Sequence, residues 1–80
     1  MRVVIYSPPG MQGEVLRRDT QKHLGRLGIK ANVELQTDDF SFARAGVMFT
    51  PAVSINGTLI SNGWVPEPEE FDDALVACVS

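Results

Sequence analysis

The stretch Gly46-Val47-Met48-Phe49-Thr50-Pro51-Ala52-Val53-Ser54-Ile55-Asn56-Gly57 decides how the chain is read. Its second half, Ala52-Val53-Ser54-Ile55, is strand-like, and so is Thr58-Leu59-Ile60-Ser61 beyond it. Asn56-Gly57 sits between the two runs. That dipeptide predicts a two-residue hairpin turn, because both central residues must reach positive φ.

Upstream, Arg2-Val3-Val4-Ile5-Tyr6 is β-branched and nearly all apolar, the pattern of a strand covered on both faces. Ser7-Pro8-Pro9-Gly10 ends it, since two prolines cannot join a central ladder. From Met11 the period becomes helical. Val15, Leu16, Leu24 and Leu27, with Thr20 or His23 between, make an apolar face, and Arg17, Arg18, Lys22 and Arg26 make the opposite one. Gly28 reads as the C′ stop. Ala31, Val33 and Leu35 then alternate with Asn32, Glu34 and Gln36, a half-buried strand, and strand, helix and strand form a right-handed βαβ unit. Thr37 or Asp38 caps a short helix whose apolar side is Phe40, Ala43 and Val47. Downstream, Pro68 suits the first position of a last helix, with Glu69 and Glu70 in its first turn. Its stripe is Phe71, Ala74, Leu75, Cys78 and Val79. The predicted order is β-α-β-α-β-β-α. This is α/β class, a mixed four-stranded sheet with helices on both faces, and matches a minimal thioredoxin-like core.

Eighty residues fit one domain spanning 1–80. A chain of this size buries only about 60% of its unfolded surface. The apolar runs are too short for a membrane helix, and Val3 to Tyr6 is too short for a signal peptide, so a cytoplasmic protein is expected. Residues 1–30 carry six basic and two acidic side chains. Residues 31–80 carry one basic residue, Arg44, and eight acidic ones. Such segregation gives a dipolar surface rather than a nucleic-acid-binding one. The single cysteine, Cys78, excludes an internal disulfide and a zinc cluster. No metal-ligand spacing and no dinucleotide fingerprint is present, so no cofactor is expected.

The block from Gly46 to Gly57 resembles the cis-proline region of the small thioredoxin-like redox disulfide proteins of bacteria and archaea, which carry a comparable G-V-x-x-T-P-A-hydrophobic-x-I-N-G run. Leu27-Gly28-Ile29, Leu59-Ile60, Gly63, Val65-Pro66 and the helix from Pro68 match in order. The resemblance implies a cis Thr50-Pro51 bond. It also implies a C-x-x-C pair at the start of the first helix, where this chain reads Gly10-Met11-Gln12-Gly13. Both cysteine positions are glycine. Thiol–disulfide exchange needs a thiolate to attack a sulfur, so the nucleophile and the resolving thiol are missing together. Cys78 falls on the core stripe, where a cysteine acts as a small hydrophobe.

What remains is a candidate binding site made of Gly10, Met11, Gln12, Gly13, Phe49, Thr50, Pro51, Gly63 and Trp64. The resemblance implies that the main chain before the proline can pair with an extended peptide. Phe49, Trp64, Met11, Pro8 and Pro9 form an exposed apolar patch or, alternatively, Trp64 and Phe49 turn inward to complete the core. Glycines at a helix start also admit an anion. His23 lacks a second ligand or a nucleophile and reads as structural. The basic face Arg17-Arg18-Lys22-Arg26 reads as solvated, and the acidic group Glu67, Glu69, Glu70, Asp72 and Asp73 as helix capping. The expected function is a non-catalytic domain that binds a peptide or protein partner. The alternatives are oxidoreductase chemistry through Cys78 and a homo-oligomer pairing the basic first helix with the acidic last one.

Overall fold

The computed structural model describes residues 1–79, with side chains through Ala77. The elements are β1 (Arg2–Tyr6), α1 (Met11–Arg26), β2 (Asn32–Gln36), α2 (Asp39–Ala45), β3 (Ala52–Ile55), β4 (Thr58–Asn62) and α3 (Pro68–Val79). The expected β-α-β-α-β-β-α order is the observed one. The sheet order is β2-β1-β3-β4. β1 runs parallel to β2 and antiparallel to β3, and β3 pairs antiparallel with β4 through the Asn56-Gly57 turn. Asn56 and Gly57 both have positive φ, 49° and 87°.

Alternation along β1 divides the core between two layers. Val3 and Ile5 face one side, where they pack with Leu24 of α1, Val33, Val53 and Ile55 of the sheet, and Phe71 and Leu75 of α3. Val4 and Tyr6 face the other, against Ala52 and the partly buried Phe42, Ala45 and Val47. Ile5, Leu24 and Ile55 are fully buried. Burying a side chain of that size contributes about 1.5–3 kcal/mol, and these three tie both α1 and the central strands to the larger layer.

Gly28, at φ 71°, ends α1 as the sequence predicts. Ile29 N–H donates to Leu24 C=O at 3.0 Å and Gly28 N–H to Gly25 C=O at 3.1 Å. This pair of bonds is the Schellman arrangement, and it folds Ile29 back onto the core beside Leu24. Asp38 is the cap of α2: its carboxylate accepts from Ser41 N–H at 2.6 Å. In β4 the extra residue Ile60 makes a bulge, and the Ser61 hydroxyl accepts the Val53 N–H at 3.1 Å.

Two helix faces differ from expectation. Val15 and Leu27 are exposed, and the buried line of α1 passes through Gly13 and Leu24, with Leu16 partly buried. At about 100° per residue, the nine-residue step from Val15 to Leu24 is half a turn out of phase. Leu27 already lies past the last helical residue. In α2, Phe40 and Ala43 point to solvent and Phe42 and Ala45 point inward. Both pairs are apolar, so periodicity alone could not choose between them. The Tyr6 ring decides it by taking Phe42 edge-on at 6.2 Å.

His23 joins the two helices of the larger layer. Its Nε2 lies 2.7 Å from Asp72 Oδ1, and its ring meets Phe71 edge-on at 5.7 Å. The side chains of Cys78 and Val79, expected on the core stripe, lie outside the described residues.

Candidate functional site

Strand register brings the predicted site residues to one end of the sheet. Tyr6 pairs with Gln36 and with Ala52, and Ala52 pairs with Asn62. The segments that continue past those positions therefore emerge side by side. They are Ser7 to Met11 after β1, Phe49 to Pro51 before β3, and Gly63-Trp64 after β4. Two further bonds hold this edge: Ser7 N–H donates to Gln36 C=O at 3.1 Å, and Gly63 N–H to Pro51 C=O at 2.8 Å.

The Thr50–Pro51 peptide bond is cis. Thr50 and Pro51 are half-buried, and among the described residues no hydrogen bond to the Thr50 main chain is formed. The loops at this end of the sheet carry exposed large apolar side chains. Met11 is 77% exposed, Phe49 64% and Trp64 48%. Of the two arrangements open from sequence, the outward one is observed.

Asn62 fixes the loop before Thr50. Its Oδ1 accepts the N–H groups of Met48 at 2.9 Å and Phe49 at 3.0 Å, and its Nδ2 donates to Gly46 C=O at 3.2 Å. Sequence reading missed this residue. Its only signal was an amide side chain directly before Gly63, at the end of a strand facing the proline loop. Gly63 itself, at φ 111°, lies against Phe49.

The opening turn of α1 separates into two parts. Gly10, Met11 and Gln12 are exposed, and Gly10 takes φ 143°, ψ −176°, with no side-chain cap for the helix. Only glycine adopts such a backbone at low cost. Gly13 is buried, and a Cβ there would stand 3.1 Å from both Ser7 Cβ and Leu35 Cδ1. Close packing of α1 on the sheet therefore accounts for Gly13, which departs from the expectation that both glycines admit a ligand. No thiol stands at residues 10–13. Among the described residues no group of three or more His, Cys, Asp or Glu side chains is placed to hold a metal, and no helix is long and apolar enough to cross a membrane.

The chain matches the thioredoxin domain family over residues 1–76 and belongs to that family. No curated protein and no solved structure matches it.

Proposed function

We propose that this protein is a non-catalytic thioredoxin-type domain, derived from the redox disulfide proteins, that binds an extended segment of a peptide or protein partner. The observation that carries the reading is the Thr50 main chain. It makes no hydrogen bond among the described residues, and the loops at its end of the sheet carry the exposed side chains of Phe49 and Trp64. A partner strand would pair with Thr50 and lay its side chains on Phe49, Trp64 and Met11. Main-chain bonds supply affinity in such strand addition, and apolar contacts supply selectivity. Glycine at positions 10 and 13 supports binding without exchange chemistry, because a bound partner disulfide would meet no thiolate there.

The test is a titration with a library of extended peptides, followed by Trp64 fluorescence and by the Thr50 amide resonance. Saturable changes at both positions are expected, and the Thr50 change is lost in Trp64→Ala. Peptides that bind while leaving Thr50 and Trp64 unmoved would place the interface elsewhere and end this reading.

A further inference from the structure

The second layer of the fold holds a cavity whose lining includes none of residues 46–51 of the proline loop. The seven-residue α2 is too short to cover the whole sheet face beneath it. Between α2 and the sheet a space of about 360 Å³ remains, lined by Arg2, Tyr6, Gln36, Ser41, Arg44 and Ser54 among others. That volume lies within the range of about 300–1,000 Å³ typical of small-molecule sites.

Two features of the lining are out of keeping with an incidental gap. The first is its charge. Ten of the chain's residues are acidic, eight of them within residues 31–80, yet no carboxylate lines the cavity. Arg44, the single basic residue of that segment, does line it. Its guanidinium lies 5.7 Å from the centre of the exposed Phe40 ring, and among the described residues it has no carboxylate partner. Arg2, on the sheet side, gives Nε and Nη2 to Glu34 and keeps Nη1.

The second feature is a pair of hydroxyls. Ser54 is 3% exposed and Tyr6 8%. Neither side chain makes a hydrogen bond within the protein among the described residues, and neither oxygen is sealed from solvent. Both residues line the cavity, and so do Arg2 and Arg44.

We propose that this cavity is a binding site for a small organic oxyanion, a compact molecule carrying a carboxylate or a phosphate group. Arg44 and the remaining nitrogen of Arg2 supply charge-assisted hydrogen bonds. The Tyr6 and Ser54 hydroxyls donate from the floor. Leu59 and Ala45 meet the carbon skeleton. The site lies on the opposite sheet face from α1 and α3 and does not depend on the peptide-groove reading.

Titration of the ¹⁵N-labelled protein with succinate, glycerol phosphate, inorganic phosphate and glycerol tests it at low ionic strength. Saturable shifts of the Ser41, Arg44 and Ser54 amides are expected with at least one of the three anions, and none with glycerol. The succinate and phosphate arms distinguish a carboxylate from a phosphate ligand. Arg44→Gln weakens the interaction at least fivefold, whereas Arg18→Gln, on the exposed face of α1, leaves it unchanged. Non-saturating shifts with every anion, or equal affinity in Arg44→Gln and the unaltered protein, would overturn the proposal.

Discussion

Gly63 and Phe49 lie so close that a Cβ on the glycine would stand 2.8 Å from the Cβ of the phenylalanine. The loop after β4 thus serves as a backstop for the loop before the proline. The backbone of Gly63, at φ 111°, adds a second restriction. Gly63→Ala is expected to destabilise the domain by about 1–3 kcal/mol, the usual cost of forcing a side chain into such a conformation. It should also shift the Met48 to Thr50 amide resonances. Urea unfolding gives the first quantity and an amide spectrum the second. An alanine variant of unchanged stability and spectrum would mean that the loops are not in contact.

Asn62 should matter through its two different ends. The oxygen accepts two loop N–H groups and the nitrogen donates one bond to Gly46. Asn62→Ala removes all three and is expected to cost about 1–2 kcal/mol, since each net hydrogen bond contributes about 0.5–1.5 kcal/mol and this one site is partly exposed. Asn62→Asp keeps the acceptor and loses the donor. Hydrogen exchange at Met48 and Phe49 should therefore accelerate in the alanine variant and stay slow in the aspartate one.

The phase of α1 yields a paired test. Leu24→Ala removes a fully buried side chain and should cost about 2–5 kcal/mol. Val15→Ala, on the exposed side of the same helix, should stay within about 0.5 kcal/mol of the original. The reverse ranking in chemical denaturation would show that the helix is rotated.

That pair also marks where the sequence was legible. Element order followed from period changes and from three kinds of punctuation: Pro8-Pro9, Gly28 and Asn56-Gly57. Each works through local backbone preference, so no partner is needed to read it. Helix faces were harder. Val15 and Leu16 are adjacent and both apolar, and only the sheet chooses between them. Phe40 and Phe42 pose the same ambiguity in α2, which the Tyr6 ring resolves. At this end of the sheet, Phe49, Thr50, Pro51 and Trp64 could be named as candidates from the sequence, whereas the Asn62 clamp could not. It links residues 13 to 16 positions apart, and only the β3–β4 register reveals that proximity.

Acid should weaken the smaller layer through Asp38. The Ser41 backbone N–H, and then the Ser41 hydroxyl, hold the Asp38 carboxyl below its ordinary value. The Arg2 guanidinium does the same for Glu34. In both cases the folded state binds the proton less tightly than the unfolded one. The stabilisation is complete above the unfolded carboxyl value, near pH 4, and disappears as pH falls through the folded value. Asp38→Asn keeps a capping oxygen but cannot titrate. Urea midpoints taken at about pH 6 and pH 3 should drop further in the unaltered protein than in Asp38→Asn. An equal drop in both would show that the cap does not contribute to acid sensitivity.

The absence of a thiol from residues 10–13 makes a last prediction, about chemistry. Disulfide reduction proceeds by thiolate attack and release of a second thiolate, and a dithiol protein needs both groups at one helix end. The unaltered protein should give no turnover in an insulin-reduction assay, and Cys78→Ser should behave identically. Turnover that vanishes in Cys78→Ser would refute the non-catalytic reading outright. Installing cysteines tests whether the scaffold still accepts them. Gly10→Cys must leave φ 143°, and Gly13→Cys must displace Ser7 or Leu35, whose atoms stand 3.1 Å from the new Cβ. The Gly10→Cys/Gly13→Cys double variant is therefore expected to unfold at lower urea than the original and to gain thiol reactivity at residue 10 before residue 13. If instead the pair is accommodated with no loss of stability, then glycine at these positions reflects lost cysteines alone, and the turn has not been reshaped around them.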